Sequence, residues 1–199
     1  KRQVYSEFAS EVYGKKVTKA DKVERFVGKT CILGLGYGMG HVKFRNTLAL
    51  GQGGIAVDID ENEAQRIVRL YRQKNHKIVS LWNKCGHALT TMVAGGSGNI
   101  TELLPFDSNG IVLPNGLRIQ YNALRQTPDG FEYIADARTY RKLAKARVTT
   151  GEQVSIDWTR IYGGKVTENI VQALARIVVA EQMASIGQSY HVAFQVHDE

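Results

Sequence analysis

The sequence predicts an α+β chain that is mostly helical, with a β-hairpin inserted among the helices. Apolar residues recur every three or four positions in several segments, which is the spacing of one helix face. An Asn-Gly pair at 115–116 separates two apolar runs, and this is a strong hairpin signal. Hydrophobic residues make up 43% of the 199 positions, which is typical of a globular protein.

Three helices are predicted in the first half of the chain. The first lies within residues 1–16, because apolar residues at a helical period precede a glycine stop: Val4, Phe8, Val12 and Gly14. The second runs from about 21 to 36 and ends in four closely spaced glycines. The third begins at Asp60, a good N-cap, with Glu63 completing a capping-box pattern. It has a break near 75–76, and its buried face is formed by Ala64, Ile67, Val68 and Tyr71.

The middle of the chain is predicted to contain a loop followed by strands. Residues 94–110 are rich in glycine and are expected to form the loop. The hairpin strands are 111–113 and 117–121, and 131–135 is expected to add a third strand. A dense basic run at 138–147 favours a DNA backbone contact and a solvated surface equally.

The longest predicted helix covers about 167–186, with Thr167 as its N-cap and Gly187 as its end. Residues 190–196 alternate weakly between apolar and polar, which indicates a strand.

The net charge of +7 favours polyanionic partners, although a merely basic soluble protein has the same composition. Cys31 and Cys85 are the only cysteines, and they form no CxxC motif or zinc-ligand set. We therefore expect a reducing cytoplasm, the host cytoplasm if the protein is phage-encoded. We recognise no signal peptide and no apolar run long enough to span a bilayer, so no membrane partner is expected.

One stretch, 25–38, carries the pattern most informative about function. Arg25, Lys29, Leu33 and Tyr37 are four residues apart, and on an α-helix each such step overshoots a full turn by about 40°. The four side chains therefore form a slowly winding stripe of two cations, an aliphatic residue and an aromatic one. Cations bind polyphosphates, and the apolar end offers a surface for a base. The stripe predicts a site for a nucleoside triphosphate.

Two glycine motifs in the same stretch predict other nucleotide sites, and both fail on spacing. Gly28-Lys29-Thr30 would need a glycine at position 23 to form a P-loop, but that residue is valine. The dinucleotide fingerprint would need a glycine three positions after Gly36 or Gly38. We therefore discount a P-loop ATPase and a dinucleotide-binding fold.

The same spacing resembles motif B of the family A DNA polymerases, which forms the O helix of their fingers subdomain. The last four residues, 196–199 (Val-His-Asp-Glu), resemble motif C of that family. Residues 162–183 resemble the corresponding helix of its phage-type members. The three blocks occur in the family's order and together span nearly the whole chain.

The resemblance implies a role for each residue of the stripe. Arg25 and Lys29 would bind the phosphates of the incoming deoxynucleotide, and Lys29 would also protonate the pyrophosphate leaving group. Leu33 would pack against its sugar and base, where the family usually has Phe or Tyr. Tyr37 and Gly38 would face the templating base.

The resemblance also implies DNA-binding and catalytic residues near the end of the chain. Gln172 would approach the minor groove at the primer terminus, where shared acceptors report pair geometry. Glu168 stands where many bacterial members have Asn, and His197 would lie near the primer terminus. Asp198 would be a metal ligand, with Glu199 an auxiliary carboxylate.

Two Mg²⁺ ions would be needed to activate the primer 3′-hydroxyl and stabilise the leaving oxygens. The family's second metal-binding Asp comes from motif A, and nothing in residues 1–24 resembles that motif. We therefore expect a fragment that is inactive alone: a fingers subdomain at 1–150 and an incomplete palm at 151–199, a truncated right hand. The strand at 190–196 is then expected to be unpaired, disordered or swapped between two copies.

Two other classes stay open. A single-subunit RNA polymerase shares the Lys-to-Tyr-Gly motif and a His-Asp pair, although Glu199 and the 162–183 block argue against it. A non-enzymatic, basic nucleic-acid-binding module would show salt-dependent DNA binding that survives the loss of Asp198.

Overall fold

The computed structural model describes residues 3–51, 55–149 and 156–194, with side chains of the helix at 137–149 described only to residue 143. Within these ranges the chain is α+β and mostly helical, as predicted, with two small antiparallel sheets. It divides into two compact units. Unit 1 comprises residues up to 86 together with 163–165, and unit 2 comprises 87–162 and the residues from 166 onward. The predicted boundary near 150 concerned functional subdomains, which this division does not test.

Unit 1 is built from helices around one apolar core. Their bounds are α1 (Val4–Tyr13), α2 (Lys22–Thr30), a π-helical segment (Cys31–Leu35), α3 (His41–Ala49), α4 (Glu61–Lys74) and α5 (His76–Val93), the last of which extends into unit 2. The core is formed by residues from each of them, among them Phe8, Val27, Leu35, Phe44 and Ile67. α1 ends at Gly14, which has a φ of 62°, and α4 is separated from α5 at residue 75. Both observations confirm the sequence predictions.

The start of α4 shows the predicted N-cap. The Asp60 Oδ1 accepts a hydrogen bond of 2.7 Å from the Glu63 amide, which satisfies one of the free donors of the first turn. The Glu63 carboxylate instead binds the Arg66 guanidinium, with Nε–Oε2 and Nη2–Oε1 distances of 2.7 Å. The N-cap is therefore confirmed, and the Glu63 carboxylate pairs with Arg66 in the first turn of the helix.

Gly28 lies where α1 and α2 cross. A Cβ at this position would overlap the Tyr5 carbonyl oxygen and lie 2.9 Å from the Ala9 Cβ, so only glycine lets the backbones approach this closely. The Gly-Lys-Thr sequence thus lies inside a helix and forms no phosphate-binding loop, in agreement with the argument from spacing.

The first sheet of unit 2 corrects part of the sequence prediction. It consists of β1 (Gly98–Thr101), β2 (Leu104–Asp107), β3 (Gly110–Val112) and β4 (Arg118–Ile119), antiparallel and in that order. The hairpin around Asn115 is confirmed, with Ile111 opposite Ile119. The prediction of a loop at 94–110 was wrong for most of its length, because the short strands β1 and β2 pair through buried Ile100, Leu104 and Phe106.

A second sheet contains the predicted third strand. Its strands are β5 (Asn122–Thr127), β6 (Gly130–Ile134) and β7 (Trp158–Ile161), and α6 (Ala137–Thr149) connects β6 to β7. The strand expected at 131–135 therefore exists, but it pairs with β5 and β7 and not with the hairpin.

The longest helix, α7, runs from Gly163 to Gly187 and begins four residues earlier than predicted. Tyr162 is the N-cap, with extended backbone, and Thr167 is a buried residue inside the helix. A Cβ on Gly163 would overlap the carbonyl oxygen of Trp82, so glycine lets the first turn pack against α5. The strand predicted at 190–196 was wrong for residues 190–194, which are irregular, and its remainder lies outside the described residues. Strand swapping stays untested.

α7 also differs from the expectation that no apolar run is long enough to span a bilayer. Among the described residues it is the one helix whose length and mean hydropathy, 1.3 over 18 positions, are sufficient for a bilayer span. Four charged residues lie within the helix: Lys165, Glu168, Arg176 and Glu181. Length and composition are weak evidence, because packed helices of other proteins meet the same criteria.

Candidate functional site

The residues of the predicted stripe lie on α2, the π-helical segment and the turn that follows. Arg25 and Lys29 are on α2, Leu33 is in the π segment, and Tyr37 and Gly38 come directly after it. The helix predicted at 21–36 is therefore confirmed in extent, but its last turn is not α-helical. In a π turn the hydrogen bonds run from i to i+5, so the turn holds about one residue more than an α turn. Four residues therefore fall short of a full turn there. The stripe consequently winds around the π segment in the direction opposite to that on α2.

Arg25 is half-buried and contacts Tyr5 of α1. Its Cζ lies 5.6 Å from the Tyr5 ring centroid, a cation–π distance. Its Nε is buried, and no oxygen among the described residues accepts a hydrogen bond from it. A buried donor without a partner is unfavourable by about 1–3 kcal/mol, so this group is suited to an anionic ligand that reaches it.

Lys29 lies four residues further along α2 and is exposed. No carboxylate of the described ranges forms an ion pair with Lys29 or with Arg25. Glu24, the acidic residue nearest to them on α2, is bound by Lys15 at 2.6 Å, which lowers the pKa of the Glu24 carboxyl. The Glu24 carboxylate is thus neutralised by Lys15. Arg25 and Lys29 are therefore available to bind a polyanion.

Lys29 and Leu33 share a pocket of about 420 Å³ between α2, the π segment and α3. Leu33 is 49% exposed, although it is a large apolar residue in an otherwise well-packed helix. Apolar and hydroxyl side chains complete the lining: Phe26, Thr30, Gly34, Met39 and Thr47. The two threonine hydroxyls each donate to a carbonyl four residues earlier, so their oxygens are still able to accept. The pocket combines one cation, an apolar wall and hydroxyl groups.

Tyr37 and Gly38 are held by the backbone of the π segment. The Tyr37 amide donates to the Gly34 carbonyl at 3.2 Å, and the Gly38 amide donates to the Leu35 carbonyl at 3.1 Å. Gly38 has a φ of 84°, a left-handed conformation that favours glycine and turns the chain toward α3. Neither residue is among those that line the pocket.

Two buried groups lie beneath the site. Burial raises the pKa of Tyr71 to about 12, with smaller contributions from Cys31 and Tyr37. Burial also raises the pKa of the Cys31 thiol well above its ordinary value. Both side chains are therefore neutral near pH 7 and belong to the apolar support of the π segment.

The predicted DNA-binding residues Glu168 and Gln172 occupy one face of α7, in unit 2. The Gln172 Nε2 donates to the Glu168 Oε1 at 3.4 Å, one helical turn away. Gln172 is exposed and Glu168 is half-buried. The structure brings these two residues together, and it gives no placement of them against the stripe on α2.

The predicted catalytic residues His197, Asp198 and Glu199 lie outside the described residues, so their roles stay predictions. Among the residues that are described, no group of three or more His, Cys, Asp or Glu side chains is arranged to bind a metal ion. The expectation of a bound metal ion therefore depends on the prediction for Asp198.

A second pocket, of about 550 Å³, lies between α1 and residues 16–20. It is lined by lysines and hydroxyl groups, but the Glu7 carboxylate shares the lining. A carboxylate beside the cations weakens binding of an anion, so this pocket fits a polyphosphate less well than the one at Lys29.

Sequence reasoning found the cations but missed the residues that surround them. Phe26 and Thr30 adjoin Lys29 and Leu33 at helical spacing, so the sequence carried a signal for them. Tyr5 and Trp82 reach the site from helices distant in sequence, and no local pattern indicated either of them.

Comparison with known proteins shows a similarity to a phage protein. No family model matches the chain, and no solved structure matches it significantly. The chain is 28% identical, over 208 aligned positions, to a protein named DNA polymerase from Bacillus phage SP02. The alignment covers 99% of this chain and 30% of that protein, so the chain spans less than a third of the relative's length.

Proposed function

We propose that the protein to which this chain belongs is a DNA polymerase of family A that transfers nucleotides from deoxynucleoside triphosphates to a primer 3′-hydroxyl. The observation that carries the proposal is the stripe on α2, where Lys29 lines an apolar pocket and Arg25, one helical turn earlier, has a buried Nε without an acceptor among the described residues. The similarity to the phage DNA polymerase over nearly the whole chain supports the same reaction class. The order of the three motif blocks supports the family.

In this proposal Arg25 and Lys29 hold the triphosphate. The Arg25 guanidinium is oriented by the Tyr5 ring, and its buried Nε gains the acceptor that it lacks. Lys29, at the edge of the pocket, binds a second phosphate and donates a proton to the pyrophosphate as it leaves. Charge-assisted hydrogen bonds of this kind are the strong ones in proteins.

The pocket receives the sugar and base of the nucleotide against Leu33. Its exposed apolar surface favours a flat ligand, while Tyr37 and Gly38 border the place of the templating base. A leucine provides apolar contact without aromatic stacking, so we expect weaker base stacking here than an aromatic residue would give.

Primer–template DNA and deoxynucleoside triphosphates are the partners in this proposal, and the compartment is the cytoplasm. Gln172 and Glu168 contact the DNA near the primer terminus, where His197 would also lie. Asp198 would hold Mg²⁺ with the help of Glu199 and of a carboxylate from motif A. When bound, the metal activates the primer hydroxyl and stabilises the leaving oxygens.

One observation favours a second role, DNA binding without catalysis. The exposed side of α6 carries Arg138, Arg141 and Lys142, none of which forms an ion pair with a carboxylate in the described ranges. Cations at this spacing suit a phosphate backbone. Such binding would be independent of nucleotide and would survive substitution of Lys29.

The test is titration of the chain with a deoxynucleoside triphosphate, comparing Lys29→Ala with Lys84→Ala. Lys84 is the matched control, an exposed lysine on α5 that does not line the pocket. We expect Kd to rise about 10-fold or more for Lys29→Ala, because a charge-assisted bond to phosphate is lost, and to change little for Lys84→Ala. Equal affinity in the two variants would contradict the proposal. Tighter binding of ribonucleotides than of deoxynucleotides would favour an RNA polymerase instead.

A further inference from the structure

The end of the π segment is held by a side chain from a distant helix. The Trp82 indole Nε1 of α5 donates a hydrogen bond of 3.1 Å to the carbonyl oxygen of Gly36, 46 residues away in sequence. π-helical turns are rare, and they persist where tertiary contacts stabilise them. Cys31 and Leu35 anchor this segment in the core with 0% and 1% exposure, and Trp82 holds it where it leaves the core.

Gly36 has no side chain by which it could be held, and the space around it does not admit one. A Cβ would lie 2.6 Å from the Ile32 carbonyl oxygen and 3.3 Å from the Tyr71 hydroxyl. The contact with Trp82 must therefore be made through the backbone, and the Gly36 carbonyl is the group that makes it.

The Gly36 carbonyl and the Tyr37 amide belong to one planar peptide unit. A hydrogen bond that fixes the carbonyl therefore also fixes the direction of the Tyr37 N–H, which donates to the Gly34 carbonyl at 3.2 Å. The next amides, of Gly38 and Met39, donate to Leu35 and Gly34 in turn. The orientation of this one peptide thus determines how Tyr37 and Gly38 leave the helix.

Trp82 is itself fixed on its own helix. Its ring packs against the core of unit 1, and its backbone carbonyl lies against Gly163 at the start of α7, where a Cβ would overlap it. The indole is thus a rigid donor, and rigidity is what a group needs to orient a substrate-binding element.

We infer that Trp82 is a positioning residue of the nucleotide site, which acts by holding the Gly36–Tyr37 peptide through its indole N–H. Its effect on the nucleotide rests on the proposed function, whereas its effect on the peptide does not. If Trp82 only filled space in the core, its ring would be needed and its N–H would not. A variant that keeps the ring and lacks the N–H therefore distinguishes packing from positioning.

The first variant is Trp82→Phe, with Trp158→Phe in unit 2 as the matched control. A second variant keeps the bicyclic shape: Trp82 is replaced by 3-benzothienylalanine, which has sulfur in place of the N–H. Urea unfolding shows whether Trp82→Phe disturbs the fold. If it does, the benzothienylalanine variant is used for the test. The readouts are amide hydrogen exchange of residues 37–39 and the Kd of a deoxynucleoside triphosphate.

We expect exchange at 37–39 to accelerate about 3- to 10-fold in either Trp82 variant, the range for one neutral hydrogen bond, with the core amides of α4 unchanged. The Kd is expected to rise by a similar factor. In a Met39→Ala background the same Trp82 change should have little further effect on Kd, because Met39 lines the pocket and follows the held peptide by two residues. The control should change neither readout.

Unchanged hydrogen exchange at residues 37–39 would overturn the inference, whatever the Kd of the nucleotide. A Trp82 effect on Kd that adds fully to that of Met39→Ala would overturn it as well. If the unsubstituted chain binds no nucleotide, the proposed function fails, and accelerated exchange at 37–39 would still support the role of Trp82 in holding the peptide.

Discussion

The two helices that carry the candidate site residues differ in how their side chains are supported. α2 and the π segment bury Val27, Cys31 and Leu35 to 1% exposure or less. α7 buries Val166 and Ile170 near its start, but Val178 is 53% exposed in its second half. Within the described residues the first therefore has buried side chains as far as the end of the π segment, whereas the buried side chains of α7 lie near its start.

This difference shows which candidate site residues are positioned by the core of their own unit and which are not. The stripe of Arg25, Lys29 and Leu33 is positioned by core contacts of the same unit, so its geometry is a property of unit 1. Glu168 and Gln172 are related to each other by one turn of α7, and apolar side chains of its second half, such as Val178, are exposed. We therefore expect substitutions in the two helices to have very different effects on stability.

The largest expected effect is that of Leu35→Ala. Leu35 is 1% exposed, and truncation would leave a cavity in the core under the π segment, which lowers the free energy of unfolding by about 2–5 kcal/mol. Val178→Ala on α7 should change it by less than about 0.5 kcal/mol, because that side chain is largely in solvent. Urea unfolding measures both, and similar losses would show that the two helices are equally supported.

A second comparison concerns two helical glycines of unit 1. Gly28→Ala should destabilise the protein by about 1–3 kcal/mol, because its Cβ would overlap the Tyr5 carbonyl oxygen at the α1–α2 crossing. Gly86→Ala on α5, where nothing lies within 4 Å of the new Cβ, should stabilise by up to about 1 kcal/mol through helix propensity. Thermal unfolding should shift the two midpoints in opposite directions. A neutral Gly28→Ala would mean that α1 and α2 cross less closely than described.

The third expected effect is confined to alkaline pH and is a pH dependence of stability from Tyr71 beneath the π segment. Its pKa is raised to about 12 in the folded state. The unfolded chain loses this proton near pH 10, so stability should fall as pH rises from about 10 to 12, by about 2 kcal/mol in all. Tyr71→Phe should remove this part of the decline, whereas Tyr190→Phe, at an exposed tyrosine, is the matched control. Parallel pH profiles for the native protein and Tyr71→Phe would contradict the assignment.

Local signals predicted the helices of unit 1 well. α4 has an N-cap, a helical apolar period and a break at its end, and each signal acts within a few residues. The last turn of the α2 helix was not predicted, because π geometry results from tertiary contacts on Leu35 and Gly36 and not from local preference. β1 and β2 were missed for a similar reason, since short strands beside glycines gain their stability from pairing.

The candidate site was predicted in part. The cations and Leu33 followed from spacing along one helix, and the structure places Lys29 and Leu33 on one pocket. Tyr5, Met39 and Trp82 depend on how other helices pack against α2, which the sequence of one segment does not contain.

The most direct test of the central claim is to locate a bound nucleotide by photo-crosslinking with an azido-substituted deoxyadenosine triphosphate and peptide mapping. The account predicts labelling within the tryptic peptide 30–43, which contains Leu33 and Met39, and loss of labelling when unmodified deoxynucleotide competes. Labelling confined to residues 3–20, at the pocket beside α1, or labelling that no nucleotide displaces, would contradict it.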